Sequence, residues 1–250
     1  MPAPGFKDHF SVAARDYDQH RPRYPAALID FLATAAPGRS LAWDCATGTG
    51  QAAVALARRF ARVVATDASA AQVGHAVTHP RVHYAVAAAE ASGLAEATAD
   101  LVTVAQALHW LDLDRFYAEV RRVARPGAVF AAWTYSLADA DPAIDPLVAA
   151  FYAEMGPWWP PERAHVEDGY RSLPFPFESI AAPDFEIREA WPLARLLGYF
   201  GTWSAVNRCR RQTGHDPLLA LERRLRDAWG DPESVRPVRW PLHLRVGRVE

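Results

Sequence analysis

Cysteine is almost missing from this chain: two residues in 250, Cys45 and Cys209. Two cannot build a disulfide framework, so a reducing, cytoplasmic setting is expected. Lysine is scarcer still, with Lys7 the only one among 27 basic residues, which reads as a coding bias toward arginine. No run approaches the roughly 20 apolar residues that span a bilayer. The opening MPAPGFKDHFSVAARDYD also lacks a hydrophobic region of the signal-peptide kind, so neither membrane association nor export is expected. A net charge of −2 gives no drive toward nucleic acid. The nine histidines fall in no HExxH pattern and there is no CxxC, so no metal is expected. The absence of a GxSxG elbow argues against a serine nucleophile.

What is present is ordinary globular composition, half hydrophobic and 22% charged, with one stretch that stands out. LAWDCATGTGQAAVAL at 41–56 reads as an apolar strand ending in Asp44, a turn carrying Gly48 and Gly50, and a small-residue helix. Such a turn leaves main-chain N–H groups free and lets a ligand come close to the backbone. The acid narrows the ligand. A carboxylate at the strand end opposes a pyrophosphate, which disfavours a nicotinamide dinucleotide, as does the missing third glycine. It favours a cationic nucleoside. S-adenosyl-L-methionine has an adenosine, no phosphate, an α-ammonium and a sulfonium. Asp67 ends the next apolar run, at about the roughly 20-residue offset of a ribose-binding acid.

These residues resemble the class I S-adenosylmethionine-dependent methyltransferases. DCATGTG is similar to that family's first motif, with Ala46 where glycine is usual; an alanine there resists a positive φ and bears on the shape of the loop. The resemblance continues through ATDAS at 65–69, AAAEASGL at 87–94, DLVTVAQALHW at 100–110 and RRVARPGAVFAAW at 121–133. With RPRYP and TWSAV added, it is closest to the trans-aconitate methyltransferase-like and ubiquinone-pathway-like (methyltransferase type 11) branch.

Strands are predicted near 41–44, 62–66, 82–87, 100–105 and 128–133, with helices near 51–60, 69–77 and 112–124, an alternation that implies parallel pairing. Pro126-Gly127 is expected to be a turn. Residues 136–183 are rich in proline and aromatics and carry no clear strand pattern. A strand is expected at 183–191, helices at 193–207 and 216–229, and a closing strand at 238–246, where Pro241 points to an edge or a bulge. The expected fold is α/β: a Rossmann-like, seven-stranded, mostly parallel sheet, its last strand antiparallel, with helices on both faces. The chain reads as one domain over 1–250. Its parts are an N-terminal lid at 1–30, a cofactor-binding core at 31–135, an insertion over the active site at 136–183, and residues 184–250 completing the sheet.

For the cofactor, the expected residues are Asp44, Ala46, Gly48 and Gly50 at the methionine part, Asp67 on the ribose, Ala89 and Glu90 near the adenine, and Gln106 where the methyl points, with Tyr17 and Arg21 from the lid. Asp67 could equally cap the following helix. Arg23, Tyr24, Trp110, Trp133, Tyr135 and Trp203 are the expected substrate residues; core packing is the plainer role for most of the aromatics. His109, just past the fourth strand, is the candidate base or else a structural histidine. The expected activity is methylation of a small molecule, leaving S-adenosyl-L-homocysteine. A carboxylate oxygen is the favoured acceptor, because it is ionised at neutral pH and needs no base. The alternatives are a carbon or hydroxyl of a quinone-like ring with His109 as base, and a cofactor-binding protein without catalysis.

Overall fold

The structure is a computed structural model and describes residues 21–250; Tyr17 and most of the expected lid lie outside the described residues. Pro25, with φ −68°, opens α1 (Ala26–Ala35), which buries Leu28, Ile29, Leu32 and Ala33 along one stripe. The parallel strands follow as β1 (Leu41–Cys45), β2 (Arg62–Asp67), β3 (Val82–Val86), β4 (Ala99–Ala105) and β5 (Ala124–Tyr135). All five residues of β1 are buried, as befits a central strand covered on both faces. Between these strands lie α2 (Gln51–Leu56), α3 (Ala70–Gly74) and α4 (Leu113–Val123).

The second half adds α5 (Asp145–Glu154), α6 (Arg163–Glu167), β6 (Glu178–Ser179), β7 (Phe185–Trp191), α7 (Leu193–Gly201), α8 (Ser204–Thr213), α9 (Leu218–Trp229) and β8 (Arg236–Arg248). The sheet order is β3-β2-β1-β4-β5-β8-β6, with β7 also paired to β8. β8 runs antiparallel to β5, β6 and β7. The Rossmann-like plan is the expected one, with eight strands rather than seven because β6 adds a two-residue pairing inside the stretch expected to have none.

Four local expectations are corrected. Pro126-Gly127 lies within β5, where the β4 pairing slips between Ala99 and Leu101 and Gly127 takes φ +74°; the pair makes a bulge, not a turn. Helices α2 and α3 stop short of the predicted ends. Pro241 is not on an edge, since β8 lies between β5 and β7, but the register toward β5 does shift by one residue across it, as at a bulge. It falls between the Asp139–Arg239 bridge and the Leu242–Tyr135 pair, where the ladder to β5 is interrupted and needs no N–H from it. The helix predicted at 193–207 is two helices. Trp203 between them is extended at φ −65°, ψ 134°, and Asn207 Nδ2 holds the break open by donating to the carbonyls of Gly201 and Trp203, both at 3.1 Å.

Two apolar layers close on the sheet. One gathers α1, α2 and the helices after β7 around Trp133, Trp191 and Trp240. The other sets Phe116, Val120 and Val123 of α4 against Trp43 and Phe130. Strand order reverses between β1 and β4, which opens a crevice beyond their carboxyl ends.

Candidate active site

The loop after β1 is shaped by its backbone. Ala46, Gly48 and Gly50 take φ of +53°, +59° and +92°, so the alanine adopts the left-handed conformation that its side chain disfavours. Strain of this kind, about 1–3 kcal/mol, persists where surrounding structure imposes it, often at functional sites. Gln106, at the end of β4, is another such residue with φ +59°. At Gly50 a side chain is excluded outright, because a Cβ would collide with the Tyr84 phenol, coming within 2.8 Å of Cζ.

Asp44 is fully buried. Its carboxylate accepts from the hydroxyl of Thr47 in the loop and from Thr103 Oγ1 of β4 at 2.7 Å. Burial pushes its pKa up to about 6; the two hydroxyl bonds oppose the rise and the negative charge of Asp67 adds to it. The acid thus ties the loop to two strands. Asp67, at the end of β2, accepts from the Gly48 N–H through Oδ2 and from the Ser69 N–H through Oδ1, both at 2.8 Å. The cap of α3 is Ser69, whose side chain accepts from the Gln72 N–H, so Asp67 is not the helix cap. Glu90 lies at the turn after β3 and accepts from the Asp112 N–H at 3.3 Å, while Ala89 is buried.

Next to this edge a pocket open to solvent lies at the ends of β4 and β5. Six residues expected from the sequence line it: Arg21, Gln106, His109, Trp110, Tyr135 and Trp203. Arg21 donates to Tyr135 Oη at 3.1 Å and to the Thr202 carbonyl at 3.5 Å, so the break before Trp203 helps to seat it. Gln106 is locked at the end of β5, its Oε1 accepting from Thr134 Oγ1 at 2.8 Å and its Nε2 donating to the Tyr135 carbonyl at 3.3 Å. His109 Nδ1 is 3.0 Å from Tyr170 Oη. Burial, then the positive charges of Arg163 and His165, bring its pKa down to about 3, so the imidazole is neutral near pH 7.

Arg21 and Gln106, both expected at the cofactor, share this lining with the expected substrate residues Trp110, Tyr135 and Trp203. Trp133, Tyr24 and Arg23 stand outside this lining. Trp133 lies one pleat deeper in β5 than Tyr135 and is wholly buried, with Tyr24 edge-on to it at 5.3 Å. Arg23 is exposed, its main-chain N–H donating to Glu189. Sequence reasoning missed Arg163 and Tyr199, which also line the pocket. The WWPPER run around Arg163 was a usable signal, since prolines and aromatics fix a cation at a loop end.

Fold and site together define an α/β protein of the kind that takes a nucleoside cofactor at its switch point, with the pocket of Arg21 and Gln106 at the neighbouring strand ends. A methyltransferase domain profile matches residues 43–132. A solved structure from Anaeromyxobacter dehalogenans, provisionally described as a type II methyltransferase, is 55% identical and superposes with a TM-score of 0.86, covering 92% of this chain and 98% of that one. A protein of Dictyostelium discoideum provisionally named a methyltransferase is 29% identical over 98% of this chain and 96% of its own length. A Saccharomyces cerevisiae protein named "probable S-adenosylmethionine-dependent methyltransferase" is 28% identical over 48% of this chain and 44% of its own. The chain belongs to the class I S-adenosylmethionine-dependent methyltransferases. The residues suit that cofactor: Asp44 and Asp67 lie at or beside the carboxyl ends of two neighbouring parallel strands, and acids there complement a nucleoside that carries cations. Among the described residues no helix is long and apolar enough to cross a membrane.

Proposed function

We propose that this methyltransferase acts on a small-molecule acid and methylates a carboxylate oxygen. The observation that carries the reading is Arg21 in a pocket beside Gln106 whose described lining includes no Asp or Glu. A guanidinium fork takes a carboxylate in two parallel bonds, which fixes direction as well as charge. Its bonds to Tyr135 and Thr202 hold the fork at the end of β5.

On this reading Asp67 would hold the ribose hydroxyls, Glu90 with Ala89 would lie at the adenine, and Asp44 with the Ala46–Gly50 loop would serve the methionine end. S-adenosylmethionine supplies a methyl group already activated on its sulfonium. What is left for the chain is positioning and exclusion of water. Trp110, Tyr135 and Trp203 give the pocket apolar walls and π faces suited to a sulfonium. His109, with a pKa near 3, is a hydrogen-bonding neighbour instead of a proton acceptor matched to pH 7. Residues 1–30 as lid and the 136–183 insertion as roof belong to the same reading, supported by Arg21 and Trp159 in the lining.

A ring carbon or hydroxyl acceptor is favoured by one observation, the presence of His109 in the same pocket. Steady-state kinetics on Arg21→Gln and His109→Gln separate the two. The acid reading predicts that Arg21→Gln raises KM by at least roughly tenfold, the loss of one charge-assisted pair, and that His109→Gln leaves kcat within about tenfold. The reverse pattern, with kcat down by a hundredfold or more at His109, overturns it.

A further inference from the structure

We propose that the insertion carries a second oxyanion subsite, built on Arg163 and Trp159, which selects acceptors bearing an anionic group remote from the one that is methylated. Arg163 opens α6 and lines the pocket. It is held between two rings: Nε donates to Tyr152 Oη at 2.9 Å, and the guanidinium carbon lies 4.7 Å from the Trp159 ring centroid and 5.4 Å from that of Tyr152. The Tyr152 hydroxyl is itself bonded to Glu167, so that acid reaches Arg163 through a phenol. Among the described residues Arg163 makes no ion pair, unlike Arg122, Arg125, Arg210 and Arg236. An oriented guanidinium whose terminal nitrogens carry no hydrogen bond to the described residues is suited to a planar oxyanion.

The second observation is Trp159. It lines the same pocket, and among the described residues its buried indole Nε1 has no hydrogen-bond partner. A buried donor in this state calls for an acceptor, and a ligand oxygen beside Arg163 provides one. Trp159 also packs on Trp203 at 5.4 Å, which joins this wall to the one that carries Arg21. The charge of Arg163 is felt in the pocket, since it contributes to the lowered pKa of His109. Two cationic anchors separated by aromatic walls fit an acceptor with two anionic groups on an apolar frame. The remote group can be a carboxylate or a phosphate, which share this chemistry.

The inference rests on the carboxylate reading for which end reacts, and binding separates the two. The full chain, saturated with S-adenosylhomocysteine, is titrated calorimetrically with linear monocarboxylates, the matching dicarboxylates and the matching ω-phosphonocarboxylates. The dianions are expected to bind at least roughly tenfold tighter than the monoanions, the worth of one charge-assisted pair. Arg163→Gln should collapse that gap by weakening dianions far more than monoanions, and Arg163→Lys should restore part of it. The better of the two dianion series identifies the remote group. Absence of a gap in the native protein overturns the subsite, as does equal weakening of both ligand types in Arg163→Gln, the mark of a purely structural clamp. A preference for dianions with no methyl transfer to any of them leaves the subsite standing and overturns the carboxylate reading.

Discussion

The main-chain N–H of Gly48 donates to Asp67 Oδ2 at 2.8 Å, so the acid at the end of β2 shapes the glycine loop at the end of β1 as well as facing the cofactor edge. Asp67→Ala therefore removes two things at once. Cofactor affinity should fall by more than tenfold, and stability by about 1–2 kcal/mol as two partly buried N–H groups lose a charged acceptor. Asp67→Asn can still accept from Gly48 and should recover most of the stability but little of the affinity, as calorimetry and thermal melts would report.

Asp44 gives two pH dependences of opposite sign. Its folded pKa of about 6 lies above the ordinary 3.8, so between those values the folded state binds more protons than the unfolded one. Stability from this group falls as pH rises through that window, by roughly 3 kcal/mol at about 1.4 kcal/mol per unit. A cationic cofactor prefers the ionised acid, so its affinity should climb as pH passes about 6. Asp44→Asn should flatten both curves, measured as the difference between native and variant in melts and in calorimetric titrations.

The loop residues Ala46 and Gly50 predict a contrast between two single-methyl changes. Gly50→Ala drives a Cβ into the Tyr84 ring at a φ of +92°, and it should cost at least 2–3 kcal/mol together with cofactor binding. Ala46→Gly relieves a left-handed alanine at φ +53° and should leave stability unchanged or raise it by up to about 1 kcal/mol. Chemical denaturation of both variants checks the pair.

With a pKa near 3, His109 should leave no inflection in the rate between about pH 6.5 and 8. Lowering the pH in that range protonates Asp44 only slightly, so the profile of kcat should be close to flat. A bell centred near the ordinary histidine pKa would mean that the imidazole titrates in catalysis.

The parallel core was legible because its signals are local: five strand-length apolar runs, each followed by a turn, with Asp44 and Asp67 at their ends. Strand pairing followed from that alternation. The pocket was legible where residues sit at strand ends, as Gln106, His109 and Tyr135 do. It was not legible at Trp133, because one pleat separates the pocket wall from the core and periodicity of two does not say where the sheet surface ends. The break at Trp203 was hidden for another reason. The side-chain amide of Asn207, four residues on, supplies the bonds that let the helix stop there. Arg163 escaped notice because its place depends on rings from two separate segments, Tyr152 and Trp159.

The most direct measurement follows the methyl group itself. The protein is incubated with methyl-labelled S-adenosylmethionine and a panel of small mono- and dicarboxylic acids, and the labelled product is treated with mild base. Methylation of a carboxylate predicts an ester that releases its label as methanol. A label stable to base, on carbon or in an ether, or no transfer at all by protein that binds the cofactor, would contradict it.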